Sequence, residues 1–322
     1  MKLLHRRLFL HLTAGAAVLP GASRIARAQT HPSRPVTMIV PAAAGGATDV
    51  SARIVSEHMS RTLGQQIVIE NIAGACGTIG TARTMRANPM GTHALAVALY
   101  PKLAYKPEAD FEPISMVSAF AMVILARKDF PPKDLKEFAS FVKANSNKLN
   151  VVHAGVGSIF FTTCFLLNSI LDAKPTLVPF SGGGPAMNAL VAGQVDYMCG
   201  DVPTSVSQLR AGTIKAYAVG GAPRNPMLPD VPTSKEAGLP EFRVSGWTAL
   251  FAPKTTPKPI IDKLALALDR ALDDATTRKR LLELGSDIPD KTSRGPQSLA
   301  RLVKGEVAKW TPIINSANIK ME

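Results

Sequence analysis

Few residues in this chain are placed to make or break bonds. With an N-terminal export segment set aside, four histidines remain, His31, His58, His93 and His153. None stands at H-E-x-x-H or another metal-ligand spacing. His153 ends an apolar run beside a loop, where it can line a cleft, although a structural role is the simpler reading. There is no G-x-S-x-G to build a nucleophile elbow and no G-x-x-x-x-G-K-[ST] to cradle a nucleoside triphosphate. Ser158 follows Gly157 but has no identifiable base, so it reads as a helix cap that can also touch a ligand. Cys76, Cys164 and Cys199 are odd in number, widely spaced and without C-x-x-C, which fits neither a disulfide framework nor a zinc site. Cys164 lies in the apolar run Ile159 to Leu171 and should be buried. Cys76 sits in a glycine-rich loop and is a candidate exposed thiol.

What remains is chemistry done by the backbone. Val36 to Val50 reads V-T-M-I-V-P-A-A-A-G-G-A-T-D-V. Its apolar start, Val36 to Val40, lies between Pro35 and Pro41 and predicts a short buried strand. Ala42, Ala43, Ala44, Gly45 and Gly46 then offer almost no side chain. Thr48 or Asp49 is placed to cap a helix that carries Val50, Ile54, Val55, Met59 and Leu63 on one face and stops at Gly64. A strand, a bare loop and a helix start expose N–H groups at the positive end of a helix dipole, which attracts an anion. A plain strand-to-helix turn would use the same small residues, so the rest of the chain has to decide between the two.

The elements that would position such loops recur. Ile67 to Glu70 reads as a second strand, Asn71 to Gly80 as a second glycine-rich loop running into a helix, Asn88 to Gly91 as a turn and Ala94 to Leu99 as a third strand. That βαβαβ order implies a parallel sheet with right-handed crossovers. Ile114 to Val117 and Ala121 to Ala126 read as two extended apolar pieces. After Pro131-Pro132, a helix capped by Asp134 opens a second alternating series, with strands at Asn150–His153, Thr176–Phe180, Val195–Cys199 and Ile214–Val219. Bare loops follow the first three of these, at 154–158, 181–184 and 200–204. Phe242 to Ala252 is extended again. Three helices then close the chain, the first with Thr256 as its cap and Pro257 in its first turn. Two α/β units with bare loops at strand ends predict a ligand held between two lobes, because open α/β sheets bind ligands beyond the carboxyl ends of their strands. Asp201 and Asp49 are the acids nearest that place. Asp201 reads as a helix cap, or as a pocket residue meeting a ligand's donor. Asp49 reads as the charge partner of a helix start.

A dinucleotide-dependent enzyme is the catalytic rival, with Glu70 where an acid would hold a ribose hydroxyl. The first loop, A-A-A-G-G-A, departs from G-x-G-x-x-G, however, and Gly74, Gly77 and Gly80 have the wrong spacing. Residues 1–28 carry Lys2, Arg6, Arg7, Arg24 and Arg27 and no acid. The apolar run Leu8 to Leu19 is too short to span a bilayer, and Ala26-Arg27-Ala28 suits a signal peptidase, so cleavage is expected after Ala28. His5-Arg6-Arg7-Leu8-Phe9-Leu10 fits twin-arginine export. Removing five of the 37 basic residues and none of the 24 acidic ones takes the formal charge from +13 to +8. The basic residues are scattered without aromatic interleaving, which speaks against nucleic acid and fits small anions.

Several spaced motifs resemble one family. They are Ser33-Arg34-Pro35-Val36, Pro41 to Asp49, Leu63-Gly64-Gln65-Gln66, Glu70-Asn71 with its glycine loop, Ala104-Tyr105 with Asp110-Phe111, Val178-Pro179-Phe180 with Gly182-Gly183-Gly184-Pro185-Ala186, Gly193-Gln194-Val195-Asp196, Leu228 to Thr233, Glu236-Ala237-Gly238, and Trp247 to Pro259. Together they cover nearly the whole chain after the export segment. They resemble the substrate-binding proteins of tripartite tricarboxylate transporters, the Bug family. The resemblance implies an α/β, two-lobe periplasmic-binding-protein fold (type II, Venus-flytrap) with the ligand cleft between lobes. One lobe would comprise 30–127 and 249–322, the other 128–248. It implies a non-enzymatic, monomeric periplasmic receptor with no cofactor, metal or catalytic residue, which captures a small carboxylate for membrane permease subunits. Carried over, the ligand-binding residues are Ala42, Ala43, Ala44, Gly45, Gly46, Thr48, Val156, Gly157, Ser158, Phe180, Ser181 and Asp201. Ala42 stands where relatives often have Phe, and Phe180-Ser181 where they often have Tyr and Lys. Val156-Gly157-Ser158-Ile159 replaces an N-G-T/S loop followed by His. A carboxylate with a more apolar body is the expected consequence. A ligand-sensing protein signalling through a membrane partner would use the same residues.

Overall fold

A computed structural model describes residues 32–74, 77–84, 88–89, 105–221 and 223–316. The expected export segment, His31, Cys76, His93 and the strand expected at 94–99 lie outside the described residues. The chain divides into an N-terminal unit ending at Arg34 and a main unit from Pro35, which holds every element below.

The main unit begins with β1 (Val36–Val40), α1 (Ala47–Leu63), β2 (Ile67–Asn71), α2 (Thr78–Thr84) and β3 (Asn88–Pro89). β1 pairs in parallel with both other strands, in the order β2-β1-β3. β3 lies at Asn88–Pro89, inside the stretch Asn88 to Gly91 that the sequence reads as a turn. Both residue types are poor strand formers, and pairing with Met38 and Ile39 overrides that preference.

Next comes β4 (Phe111–Arg127), one strand of 17 residues where the apolar pattern suggested two pieces. The hydroxyls along that run have partners, Ser118 within the sheet and Ser115 outside it. Ser118 shares a 2.9 Å hydrogen bond with Thr248, and Ser115 accepts one from the Gly295 N–H at 2.9 Å. A paired buried hydroxyl need not end a strand. The order continues α3 (Leu135–Asn145), β5 (Asn150–His153), α4 (Ile159–Ile170), β6 (Thr176–Pro179), α5 (Gly183–Val191), β7 (Tyr197–Asp201), α6 (Val202–Arg210), β8 (Ile214–Val219), β9 (Ser245–Pro253), α7 (Lys258–Asp273), α8 (Ala275–Glu283) and α9 (Pro296–Ser316). Asp134 caps α3 by accepting from the Glu137 N–H at 2.8 Å. Thr256 does not cap α7. That helix starts at Lys258 behind Pro257, with no side-chain cap bond.

Among the described residues the second sheet runs β6-β5-β7-β4-β8, with β9 also paired to β4. β4 changes partners along its length. Phe111 to Ala121 pair antiparallel with β9, and Met122 onward pair with β7 and, from Val123, with β8. Two sets of apolar cores follow. One joins β1 and α1 to Ile114 and Val117 of β4, Leu250 and Ala252 of β9, and one face of α7. On the far part of β4, alternate residues feed opposite faces: Ile124 and Ala126 face one core, Val123 and Leu125 another. A strand buried on both faces reads as a continuous apolar run, as this one does.

In the first of those two far cores the Tyr197 hydroxyl donates to Asn168 Oδ1 at 2.6 Å, and its ring meets Phe138 edge-on at 5.2 Å between centroids. Tyr197→Phe keeps the ring and orphans the Asn168 oxygen. We expect a loss of about 1–2 kcal/mol in chemical denaturation with an unchanged m-value. An unchanged midpoint would show that this hydrogen bond contributes nothing net.

Candidate functional site

A cavity of about 360 Å³ lies where the first sheet faces the second. It is lined by Pro41 to Thr48 in part and by Ala73, Gly74 and Gly77 on one side. On the other side are Phe120 of β4, the loop after β5, the loop after β6, and Asp201 at the end of β7. Each loop leads into a helix, so the first turns of α1, α4, α5 and α6 all start at its wall. First-turn N–H groups lack helical partners and carry the positive end of the helix dipole. Among the described lining residues there is no Lys, Arg or His, and the one ionisable side chain is Asp201.

On the first side, α1 starts at Ala47 with Gly46 as its cap residue, and neither Thr48 nor Asp49 caps it. Asp49, in the first turn, instead reaches back to accept from the Gly45 N–H at 2.9 Å. Gly45 has φ +82°, a left-handed turn that glycine adopts at no steric cost. Asp49 is buried and also accepts from Arg53 Nε at 3.0 Å and Asn71 Nδ2 at 2.9 Å, while Asn71 donates to the Ala42 carbonyl at 3.1 Å. Burial pushes the Asp49 carboxyl up. The hydrogen bonds from Arg53, Gly45 and Asn71 outweigh it and hold the group below the usual range. Asp49 is therefore an ionised brace for the loop and does not line the cavity.

On the second side, Ser158 caps α4, accepting from the Phe161 N–H at 3.1 Å and donating to the Gly155 carbonyl at 2.6 Å. The Phe180 N–H donates to the His153 carbonyl at 2.9 Å, which ties the β6 loop to the end of β5. His153 itself is buried against Phe161, and burial lowers its pKa. Asp201 caps α6 through Oδ1, which accepts from the Thr204 N–H at 2.8 Å and its hydroxyl at 2.7 Å. It is 1% exposed, and burial raises its pKa against the lowering effect of Thr204.

Of the residues expected from sequence, Ala42, Ala43, Gly46, Thr48, Val156, Ser158, Phe180, Ser181 and Asp201 line the cavity together. Ala44, Gly45 and Gly157 do not. Gly45 and Gly157 shape their turns at φ +82° and +86°. The second glycine loop and Gly182 and Gly183 of the loop 181–184 also line the cavity, although they are not among the carried-over binding residues, and Phe120 and Phe160 join them. The G-G-G-P-A motif and the spacing after Ser158 were signals for Gly182, Gly183 and Phe160. Phe120 carried none, because nothing local says that a strand residue will reach the cavity across Gly246.

Two α/β lobes with a cavity between their helix starts define the two-lobe fold of periplasmic binding proteins. The chain belongs to the tripartite tricarboxylate transporter family receptor (TctC) group, whose family model matches residues 51–319. Three relatives illustrate the likeness. MatC of Rhodopseudomonas palustris, solved with bound malate, is 49% identical, with a TM-score of 0.85 over 88% of this chain and 99% of that one. The periplasmic binding protein BugD is 39% identical, with a TM-score of 0.87 over 90% of this chain and 100% of its own. A protein of Agrobacterium vitis encoded in the ttuE-ttuC' intergenic region is 40% identical over 96% of this chain and 91% of its own length.

Proposed function

We propose that this protein is a non-enzymatic, monomeric periplasmic receptor that closes its lobes, 30–127 with 249–322 against 128–248, on a small dicarboxylate of malate size and presents it to the permease subunits of a tripartite tricarboxylate-type transporter. The reading rests chiefly on the cavity, where four helix starts converge on a space with no described cationic side chain. Such a site holds carboxylate oxygens through backbone N–H groups and hydroxyls. Malate in MatC, at 49% identity, supports the choice of ligand. The family supports the partner. In this reading the ligand touches Ala42, Ala43, Gly46 and Thr48 from one lobe, and Val156, Ser158, Phe180, Ser181 and Asp201 from the other, while Ala44, Gly45 and Gly157 shape the loops that carry them. Phe120, Phe160 and Phe180 face its apolar body.

A thermal-shift screen of the protein lacking residues 1–28 tests this, using malate, other di- and tricarboxylates, and aromatic acids. A ligand at 100 times its Kd stabilises the fold by about 2.7 kcal/mol, which a melting curve resolves. Protein that shifts with none of these acids would rule the reading out.

A further inference from the structure

The two buried aspartates beside the cavity are held in opposite ways. Asp49 has Arg53, Asn71 and the Gly45 N–H around its carboxylate. Asp201 has only Thr204, and both of those hydrogen bonds fall on Oδ1, which leaves Oδ2 without a partner among the described residues. The elements packed around Asp201 bring it no charge. β4 sets Met122 opposite it, α6 offers Thr204 and Ser205, and the described cavity wall holds no basic side chain. Titratable groups in the neighbouring sheet are Cys199, two residues back on β7 itself, and His153, at the end of the paired strand β5. Both are buried, and burial disfavours the charged form of each. An incoming carboxylate would therefore meet a second carboxyl group with no described cation between them, and two carboxyl groups sharing one site do not both stay ionised.

Building on the carboxylate reading above, we propose that Asp201 enters the complex as the neutral acid, donating a hydrogen bond from Oδ2 to an oxygen of the bound carboxylate, so that capture of the anion takes up a proton from solvent. Thr204 fixes which oxygen carries it. With Oδ1 already accepting two hydrogen bonds, the proton belongs on Oδ2, and the acid becomes one more donor in a site built from donors. Burial, which already favours the neutral form, acts in the same direction.

Calorimetry of malate binding in buffers of different ionisation enthalpy measures the proton directly. The slope of observed enthalpy against buffer enthalpy should approach one proton taken up at neutral pH, with affinity falling as pH rises. In Asp201→Asn the amide nitrogen supplies a donor that cannot titrate, so the uptake should drop to near zero and the pH dependence should flatten. Wild-type protein that binds malate with no proton uptake overturns the inference and leaves the carboxylate reading standing. So does an Asp201→Asn protein of unchanged circular dichroism whose slope equals that of the wild type. Wild-type protein that binds neither malate nor any other carboxylate overturns both.

Discussion

Gly182→Val is expected to remove most of the ligand affinity while leaving both lobes folded. A β-carbon on Gly182 would stand 2.6 Å from that of Ala43, across the cavity mouth. Carbon atoms in contact sit about 3.5–4.0 Å apart, so the two loops must separate by about 1 Å or more before any side chain fits. Nothing else opposes the substitution. Gly182 has φ 165° and ψ 175°, an extended backbone that any residue adopts, and it makes no side-chain cap bond. The cost therefore falls on the approach of the two lobes. Loss of that approach removes the contacts of one wall, which we put at about 2–3 kcal/mol, or roughly 30- to 150-fold in Kd. Calorimetry with malate, alongside a denaturation curve, separates the two effects. Near-wild-type affinity would mean that the lobes need not approach this closely to bind.

Asp49→Ala should act on stability first and on affinity through it. The substitution strips the Gly45 N–H and the Asn71 amide of a buried acceptor. Arg53 is half-exposed at its side chain and can turn to water, which limits the penalty for its lost partner. Two orphaned donors and a loosened loop together suggest about 2–3 kcal/mol in chemical denaturation. The pH dependence follows from the direction of the shift. The folded-state pKa of Asp49 is lowered, so its contribution is present in full above the ordinary aspartate value of about 3.9 and is lost as pH falls through the lower folded-state value. Wild type and Asp49→Ala should therefore converge in stability under strongly acidic conditions. A constant gap down to that range would mean that the brace does not depend on charge.

Sequence reasoning reached those parts of the fold whose causes are local. The run from Val36 through the bare alanines into α1, the Asp134 and Ser158 caps, and the alternation of strands with bare loops all follow from neighbours within a few residues. The helix-cap reading of Asp201 is of the same kind. The misses have distant causes. β4 reads as two pieces because its apolar run breaks at Ser118, whose partner, Thr248, lies more than a hundred residues later. Thr48 looked as good a cap as Asp49. Neither caps α1, because Asn71 and Arg53 draw the acid back toward Gly45. Phe120 reaches the cavity because Gly246 opposite leaves room for its ring: a β-carbon there would stand 2.3 Å from it. No residue near Phe120 in the sequence announces that.

The first core has a consequence for the order in which the molecule can be made. It draws on Met38 and Val40 near one end of the chain and on Leu250, Leu268 and Leu281 near the other. A ribosome delivers those groups far apart in time, and the closure of so long a loop precedes any gain from packing. The cores around β5, β7 and β8 draw instead on the stretch from Ala121 to Phe242 and can consolidate while the last quarter of the chain is still emerging. Folding rates fall with the mean sequence separation of contacts. The nascent chain thus carries an unfinished half whose apolar β1 and α1 surfaces wait for α7, and that half is the one most exposed to chaperones before the fold is complete.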